Sequence, residues 1–275
     1  MKEAGLLGAR RLREQLDRAG IRPRKELGQN FVIDPNTIRK VVDVAALTGA
    51  ERVLEIGAGT GSLTLGLARS ALHVTALELD RRLMGVLVEN VGGLDNVDIL
   101  QADAFEFDVA SVDAGVLVAN LPYSTATPIV LKVLETAPEI RVLTVMTQRE
   151  AGERLAATPG SRVYGRSSVL VRYFGSATVA ARVSRNAFWP VPGVDSVLVR
   201  IVRSQEPPDV AFENVAAIVK AGFSQRRKTL RNSLASLAGG TVAAERWMIG
   251  ANLEPTARAE EIDVAGWIAL ARSAG

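Results

Sequence analysis

The chain of 275 residues has no cysteine and a single histidine, His73. The first absence removes disulfides, thiolate metal sites and cysteine nucleophiles, and suits a reducing compartment. The second argues against a Ser-His-Asp triad and against a multi-histidine metal site, so no metal is expected and any catalysis must use little acid–base machinery. No segment approaches the roughly 20 uninterrupted apolar residues of a membrane span, and the first residues lack the apolar core of a secretion signal. A soluble, cytoplasmic protein is expected. There are no internal repeats or low-complexity segments, and with no exposed repeat the expectation is a monomer.

What is present is a large apolar fraction, 48%, enough for one large or two modest domains with a substantial core. The net charge of +3 hides 33 basic residues against 30 acidic ones, most of the basic ones arginine. The planar guanidinium suits phosphate contacts, which makes a polyanionic partner plausible.

Glu3 to Ala19 carries Leu12, Leu16 and Ala19 at the spacing of a short amphipathic helix. Seven basic residues lie between Arg10 and Lys25, most simply a solvated face. The polar segment Lys25 to Val32 reads as a loop, and Asp34-Pro35 opens a helix as N-cap and first-turn proline, with Ile38, Val41, Val42 and Ala45 on one face. A strand, Arg52 to Ile56, then runs into Gly57-Ala58-Gly59-Thr60-Gly61 and a helix. Glycines there let a ligand approach the backbone, and the helix start offers free N–H groups. A second strand ends in Glu78 and Asp80, with Glu78 17 positions after Gly61. An acid at that distance accepts ribose hydroxyls in doubly wound folds, so a nucleoside-containing ligand is expected. The glycine spacing leaves two cofactor classes open, a nicotinamide dinucleotide and S-adenosylmethionine; the first prefers its third glycine one position later.

Asp103, after the strand-like Val97 to Leu100, serves either as a helix N-cap or as an acceptor for an adenine amine. The apolar run Ala114 to Ala119 ends abruptly in Asn120-Leu121-Pro122-Tyr123. That pattern is a buried parallel strand delivering an amide, a restrained backbone and a flat ring to its carboxyl end, where open α/β sheets bind ligands. The four residues suit a grip on the exocyclic amine of an aromatic base; a strand followed by a turn is the plainer alternative. Strands alternate with helices through this half, giving a largely parallel, doubly wound sheet. Two further strands, Thr178 to Val183 and Val194 to Ile201, close it. Between them Phe188, held by Pro190 and Pro192, is either a packed corner or the second face of a base clamp with Tyr123.

A Pro-rich linker at Ser204 to Asp209 leads to helical patterns only. There Arg226, Arg227, Lys228 and Arg231 fall within ten residues free of acids, a credible phosphate-binding patch on a helix whose buried stripe is Leu230, Leu234 and Leu237.

Taken in order, Leu27-Gly28-Gln29-Asn30-Phe31, Glu55 to Gly61, Glu78-Leu79-Asp80, Asn120 to Tyr123, Tyr164-Gly165-Arg166, Phe188 with its prolines, and Gln225 to Asn232 resemble the KsgA (RsmA) family of small-subunit rRNA adenine N6,N6-dimethyltransferases. The resemblance runs from about Lys25 onward. It implies an α/β fold, a Rossmann-like class I methyltransferase sheet over 25–204 with a small all-helical rRNA-contacting domain over 205–275, preceded by a basic extension over 1–24. It implies S-adenosylmethionine as cofactor, held by Asn30, Val32, Gly57, Gly59, Glu78, Asp103 and Asn120. The catalytic set would be Asn120, Leu121, Pro122, Tyr123 and Phe188, and the partner small-subunit rRNA in a pre-30S particle, bound through Arg226, Arg227, Lys228 and Arg231. The chain departs from the family pattern at Ala58, at Ser124-Thr125-Ala126 beside the base pocket, and at Ser167. The Erm class, which acts on large-subunit rRNA, and a non-catalytic assembly factor with the same fold are the alternatives.

Overall fold

A computed structural model describes residues 6–24, 27–122, 124–225 and 228–275. The chain forms two compact units, Met1–Gly152 with Thr178–Val202, and Glu153–Ala177 with Arg203–Gly275.

The first unit starts with helix α1 (Ala9–Arg18), strand β1 (Phe31–Val32) and helix α2 (Pro35–Ala45). In α2 the Asp34 carboxylate accepts from the Asn36 and Thr37 N–H groups, both at 3.1 Å, so two of the helix's orphan donors are satisfied. The alternation then runs β2 (Arg52–Ile56), α3 (Ser62–Leu67), β3 (His73–Glu78), α4 (Met84–Val91), β4 (Val97–Gln101), β5 (Val116–Asn120), α5 (Ala126–Thr136) and β6 (Val142–Gln148). Beyond it follow α6 (Arg149–Ala156), α7 (Arg166–Phe174), β7 (Gly175–Val183), β8 (Phe188–Trp189) and β9 (Ser196–Arg203).

Seven strands form one sheet in the order β4-β3-β2-β5-β6-β9-β7. The β4, β3, β2, β5 and β6 pairings are parallel, and β9 runs antiparallel to β6, with Met146 opposite Leu198. Central strands covered on both faces need side chains that are apolar throughout, and Val116 to Ala119 are all buried. Because every parallel crossover returns the chain to the same edge, the carboxyl ends of β2, β3, β4 and β5 meet at one rim. A separate two-stranded ribbon pairs Phe31 with Trp189 and Val32 with Phe188.

The second unit contains α7 and the helices α8 (Phe212–Gly222), α9 (Leu230–Ala238), α10 (Thr241–Gly250) and α11 (Val264–Ala274). Its centre is aromatic: Phe223 stacks on Trp267 at 5.5 Å between centroids, Tyr164 meets Phe223 edge-on, and the Tyr164 hydroxyl donates to the Ile262 carbonyl at 2.8 Å.

Four expectations change. Of the extension expected over 1–24, the described residues 6–24 are not separate, because Leu12 and Leu16 pack with Ile21, Phe31, Leu83 and Val86 in the first unit. The buried stripe of α1 also contains Gln15, whereas Ala19 is exposed. The segment Glu153–Ala177 belongs with the C-terminal helices instead of the sheet domain. It contains α7, hidden in a sequence with Val169, Val171, Tyr173 and Phe174 and fixed by tertiary bonds, among them Arg172 donating to the carbonyls of Ala156 and Ala157, each at 2.9 Å. Finally, the basic helix begins only at Leu230, so Lys228 precedes it, and Leu237 is exposed.

Candidate active site

The rim encloses a cavity of about 260 Å³, lined by every described residue of the expected cofactor and catalytic sets: Asn30, Val32, Gly57, Gly59, Glu78, Asp103, Asn120, Leu121, Pro122 and Phe188. Tyr123, Arg226 and Arg227 lie outside the described residues.

One wall is the glycine turn. Gly57, Gly59 and Gly61 all take positive φ, at 78°, 59° and 82°, a region that side chains strongly disfavour. A Cβ on Gly59 would also approach the Phe31 ring to 3.2 Å. Glu78, at the end of β3, clamps this turn: Oε2 accepts from Gly59 N–H at 2.7 Å and Oε1 from Asp80 N–H at 2.8 Å. Each oxygen keeps a second lone pair, so the carboxylate can still receive hydroxyl donors from a ligand. Burial pushes its pKa above the usual range, with the two amides acting in the opposite direction.

The segment Leu27 to Asn30 lines the cavity and is anchored at its last two residues. Gln29 Nε2 donates to Asp80 Oδ2 at 2.8 Å, and the Asn30 carbonyl accepts from Asn120 Nδ2 at 3.0 Å. Asp80 is itself gripped by the Arg82 guanidinium, which holds its carboxyl down at about 2. Just before these anchors Gly28 sits directly on Pro122, since a Cβ there would lie 2.7 Å from Pro122 Cβ.

Asn120 stands at the end of β5 with its orientation set by that bond to Asn30. Its Nδ2 is engaged with protein, and among the described residues no donor reaches its Oδ1. The Leu121 N–H donates to the Met146 carbonyl at 3.0 Å, which fixes the peptide; its own carbonyl has no described donor. Two oxygen acceptors without a described donor therefore belong to adjacent residues that line the cavity. Asp103 caps no helix: its Oδ1 accepts from Phe105 N–H at 2.8 Å within a turn, and the residue lines the cavity. Phe188 is 1% exposed and packs in the main apolar cluster with Val32 and Leu198 as well as on the cavity wall.

Several contributors were not among the expected site residues. Glu55 lies in the cavity floor with neither carboxyl oxygen hydrogen-bonded, and burial pushes it up to about 8. Gln15 of α1 donates to Asn90 Oδ1 at 2.7 Å, and Asn90 Nδ2 donates to the Thr60 carbonyl at 2.9 Å, so the N-terminal helix props the glycine turn. The one available hint was a glutamine on an otherwise apolar stripe. His73 lies at the opposite end of β3, paired with Asp98 at 2.9 Å, and takes no part in the cavity. In the second unit Lys228 is exposed, while Arg231 pairs with Glu245 at 2.9 Å, tying α9 to α10.

Acids line this cavity and, among the described lining residues, no lysine or arginine does. A pyrophosphate would be poorly received there, whereas a nucleoside bearing a positive charge fits. The sheet order, the glycine turn with its acid partner and this charge balance define a nucleoside-cofactor enzyme of the Rossmann-like methyltransferase class. The model of the ribosomal RNA adenine dimethylase family matches residues 20–274, and the chain belongs to that family. It is 44% identical over 276 residues to ribosomal RNA small subunit methyltransferase A of Paenarthrobacter aurescens (strain TC1), covering 98% of this chain and 94% of that one. The same protein of Nocardia farcinica (strain IFM 10152) is also 44% identical, over 99% and 97% of the two chains. Among solved structures, a dimethyladenosine transferase from Plasmodium falciparum superposes with TM-score 0.73 at 24% identity, over 86% of this chain and 94% of that one. The 23S rRNA methyltransferase ErmE does so with TM-score 0.70 at 28% identity, over 89% and 99%.

Proposed function

We propose that the protein transfers methyl groups from S-adenosylmethionine to N6 of two adjacent adenosines near the 3′ end of 16S rRNA, acting on a pre-30S particle during small-subunit biogenesis. The observation that carries this reading is the paired acceptors, Asn120 Oδ1 and the Leu121 carbonyl, beside an acid-lined nucleoside cavity. The identity of the 41–44% relatives, small-subunit enzymes throughout, favours that substrate over large-subunit RNA.

S-adenosylmethionine supplies an electrophilic methyl group on a sulfonium; Glu78 would receive its ribose hydroxyls, Asp103 its adenine amine, and Asn30, Val32 and the glycine turn its remaining length. The work left to the protein is to make adenine N6 a nucleophile, since its lone pair is delocalised into the ring. Accepting both N6 hydrogens at Asn120 Oδ1 and the Leu121 carbonyl draws that nitrogen toward a tetrahedral shape and aims the lone pair into the cavity. Positioning and fixed dipoles carry the rate, and no strong base is needed because methylation makes the amine acidic enough to release its proton. Phe188 and Tyr123 are assigned to the faces of the extruded base, a stacking contribution of about 1–3 kcal/mol. Lys228, Arg226 and Arg227 are assigned to rRNA phosphates.

Transfer of labelled methyl to ribosomal subunits from an unmethylated strain, with mass spectrometry of the product nucleoside, tests the reading. Dimethyladenosine confined to the small subunit is expected; label in large-subunit RNA, or binding without transfer, overturns it. The segment Leu27 to Asn30 gives a second prediction. Gly28→Ala places a methyl group against Pro122 at a backbone angle alanine disfavours, so the segment must lift. Affinity for S-adenosylhomocysteine should fall about tenfold or more, with a loss of roughly 1–2 kcal/mol in stability. Unchanged affinity by calorimetry would show that the segment does not hold the cofactor.

A further inference from the structure

The loop after β4 that carries Asp103 is fastened from outside the cavity by one side chain. Lys132 lies on α5, and its ammonium donates to three backbone carbonyls: Ala104 at 3.0 Å, Phe105 at 2.6 Å and Phe107 at 3.0 Å. An ammonium has three donors and no acceptor, so these bonds commit it completely. No ion pair to it is found among the described residues, so the cation is neutralised by carbonyl dipoles alone. Such an arrangement serves to hold a backbone in place, because the three carbonyls would otherwise converge without a donor between them.

The backbone it holds is a cavity wall. Ala102 to Phe105 line the cavity, Asp103 Oδ1 is turned back onto Phe105 N–H, and the Asp103 carbonyl accepts from Glu106 and Phe107 N–H at 3.0 and 2.8 Å. The helix that supplies Lys132 begins directly after the catalytic segment. Thr125, its N-cap, and Ile129, one turn before Lys132, line the same cavity as Asn120 to Pro122. One rigid helix therefore touches the segment that grips the substrate and, three residues beyond Ile129, the loop on the cofactor side.

We propose that Lys132 is a positioning residue that fixes the Asp103–Phe105 wall relative to Asn120, and thereby sets the width of the cavity around the cofactor's adenine end. This rests on the cofactor reading given above. The side chain touches neither cofactor nor substrate, so its effect falls on binding and leaves the chemical step.

The test is calorimetric titration of S-adenosylhomocysteine into the full-length wild type and into Lys132→Met, Lys132→Gln and Lys132→Arg, alongside kcat and KM with unmethylated small subunits. The methionine variant should bind about tenfold more weakly and show KM for the methyl donor raised by the same factor, with kcat at saturation within about threefold of wild type. Arginine, whose fork can reach two of the carbonyls, should recover most of the affinity. Glutamine should lie between, and decides the matter if the methionine variant does not fold. Hydrogen exchange at Glu106 and Phe107 should quicken in step with the lost affinity. Wild-type binding matched by the methionine or glutamine variant, or a fall in kcat with affinity unchanged, overturns the inference alone. A wild type that binds no S-adenosylhomocysteine overturns the cofactor reading and the inference with it.

Discussion

Asn120→Ala is expected to lower kcat by about a hundred- to thousandfold, the range seen when one preorganised polar contact to a transition state is removed, while affinity for S-adenosylhomocysteine changes by no more than about threefold. The asymmetry follows from how the amide is used. Its Nδ2 is committed to the Asn30 carbonyl, so the side chain cannot turn, and Oδ1 is presented to the substrate. Removing it takes away one of two acceptors for the N6 hydrogens, an interaction that strengthens only as the nitrogen changes shape. The segment Leu27 to Asn30 loses one anchor but keeps the Gln29–Asp80 bond, which limits the effect on the cofactor. Asn120→Asp should not restore activity, because its second oxygen would face the Asn30 carbonyl where a donor now lies. Single-turnover methyl transfer measured together with calorimetry separates the effects. A kcat within fivefold of wild type, or a loss wholly explained by weaker cofactor binding, would remove Asn120 from the chemical step.

The sequence disclosed this site better than the helices around it, for a physical reason. Strand ends that deliver function break the pattern of their own strand. Val116 to Ala119 are apolar without exception and Asn120 is not; Val74 to Leu77 carry no charge and Glu78 does. Such breaks are local, so they can be read one residue at a time, and the parallel sheet brings them together without further information. The features that escaped are long-range. Gln15 reaches Asn90 across 75 positions, and Lys132 reaches a loop 25 to 28 positions earlier, so only the folded chain shows what either side chain meets. The same holds for α7. Its Val-, Tyr- and Phe-containing sequence has weak helical preference, and its carbonyl contacts to α6 through Arg172 override it. Arg231 illustrates the limit from the other side, for a basic run suggested a free phosphate contact while the fold supplies Glu245 as its partner.

Glu55 should make the protein less stable as pH rises from about 5 to 8, and Glu55→Gln should abolish that part of the slope. The residue is fully buried, neither oxygen has a hydrogen-bond partner, and burial pushes its pKa from 4.5 to about 8. The Thr64 hydroxyl beside it pulls the other way without completing a hydrogen bond, and the Glu78 charge adds to the rise. Below pH 4.5 the carboxyl is protonated in folded and unfolded chains alike, and its contribution is fully present. Between 4.5 and 8 the unfolded chain releases the proton while the folded chain retains it, so folding binds a proton and stability declines with pH, at most by about 1.4 kcal/mol per unit. The whole decline is of order 5 kcal/mol, a large share of an ordinary domain's stability. Above pH 8 both forms are ionised and the slope ends. Glutamine has nearly the same shape and no titration, so the stability difference between variant and wild type should move steadily in the variant's favour across this window. Glu78, also raised by burial, contributes a slope of the same sign, but it is present in both proteins and largely cancels in the difference. Asp80, held near 2, acts only at far lower pH. Urea denaturation of both proteins at pH 5, 6, 7 and 8 provides the measurement. Parallel stability curves for the two would mean that Glu55 is already ionised in the folded cavity floor, with a partner there satisfying its charge.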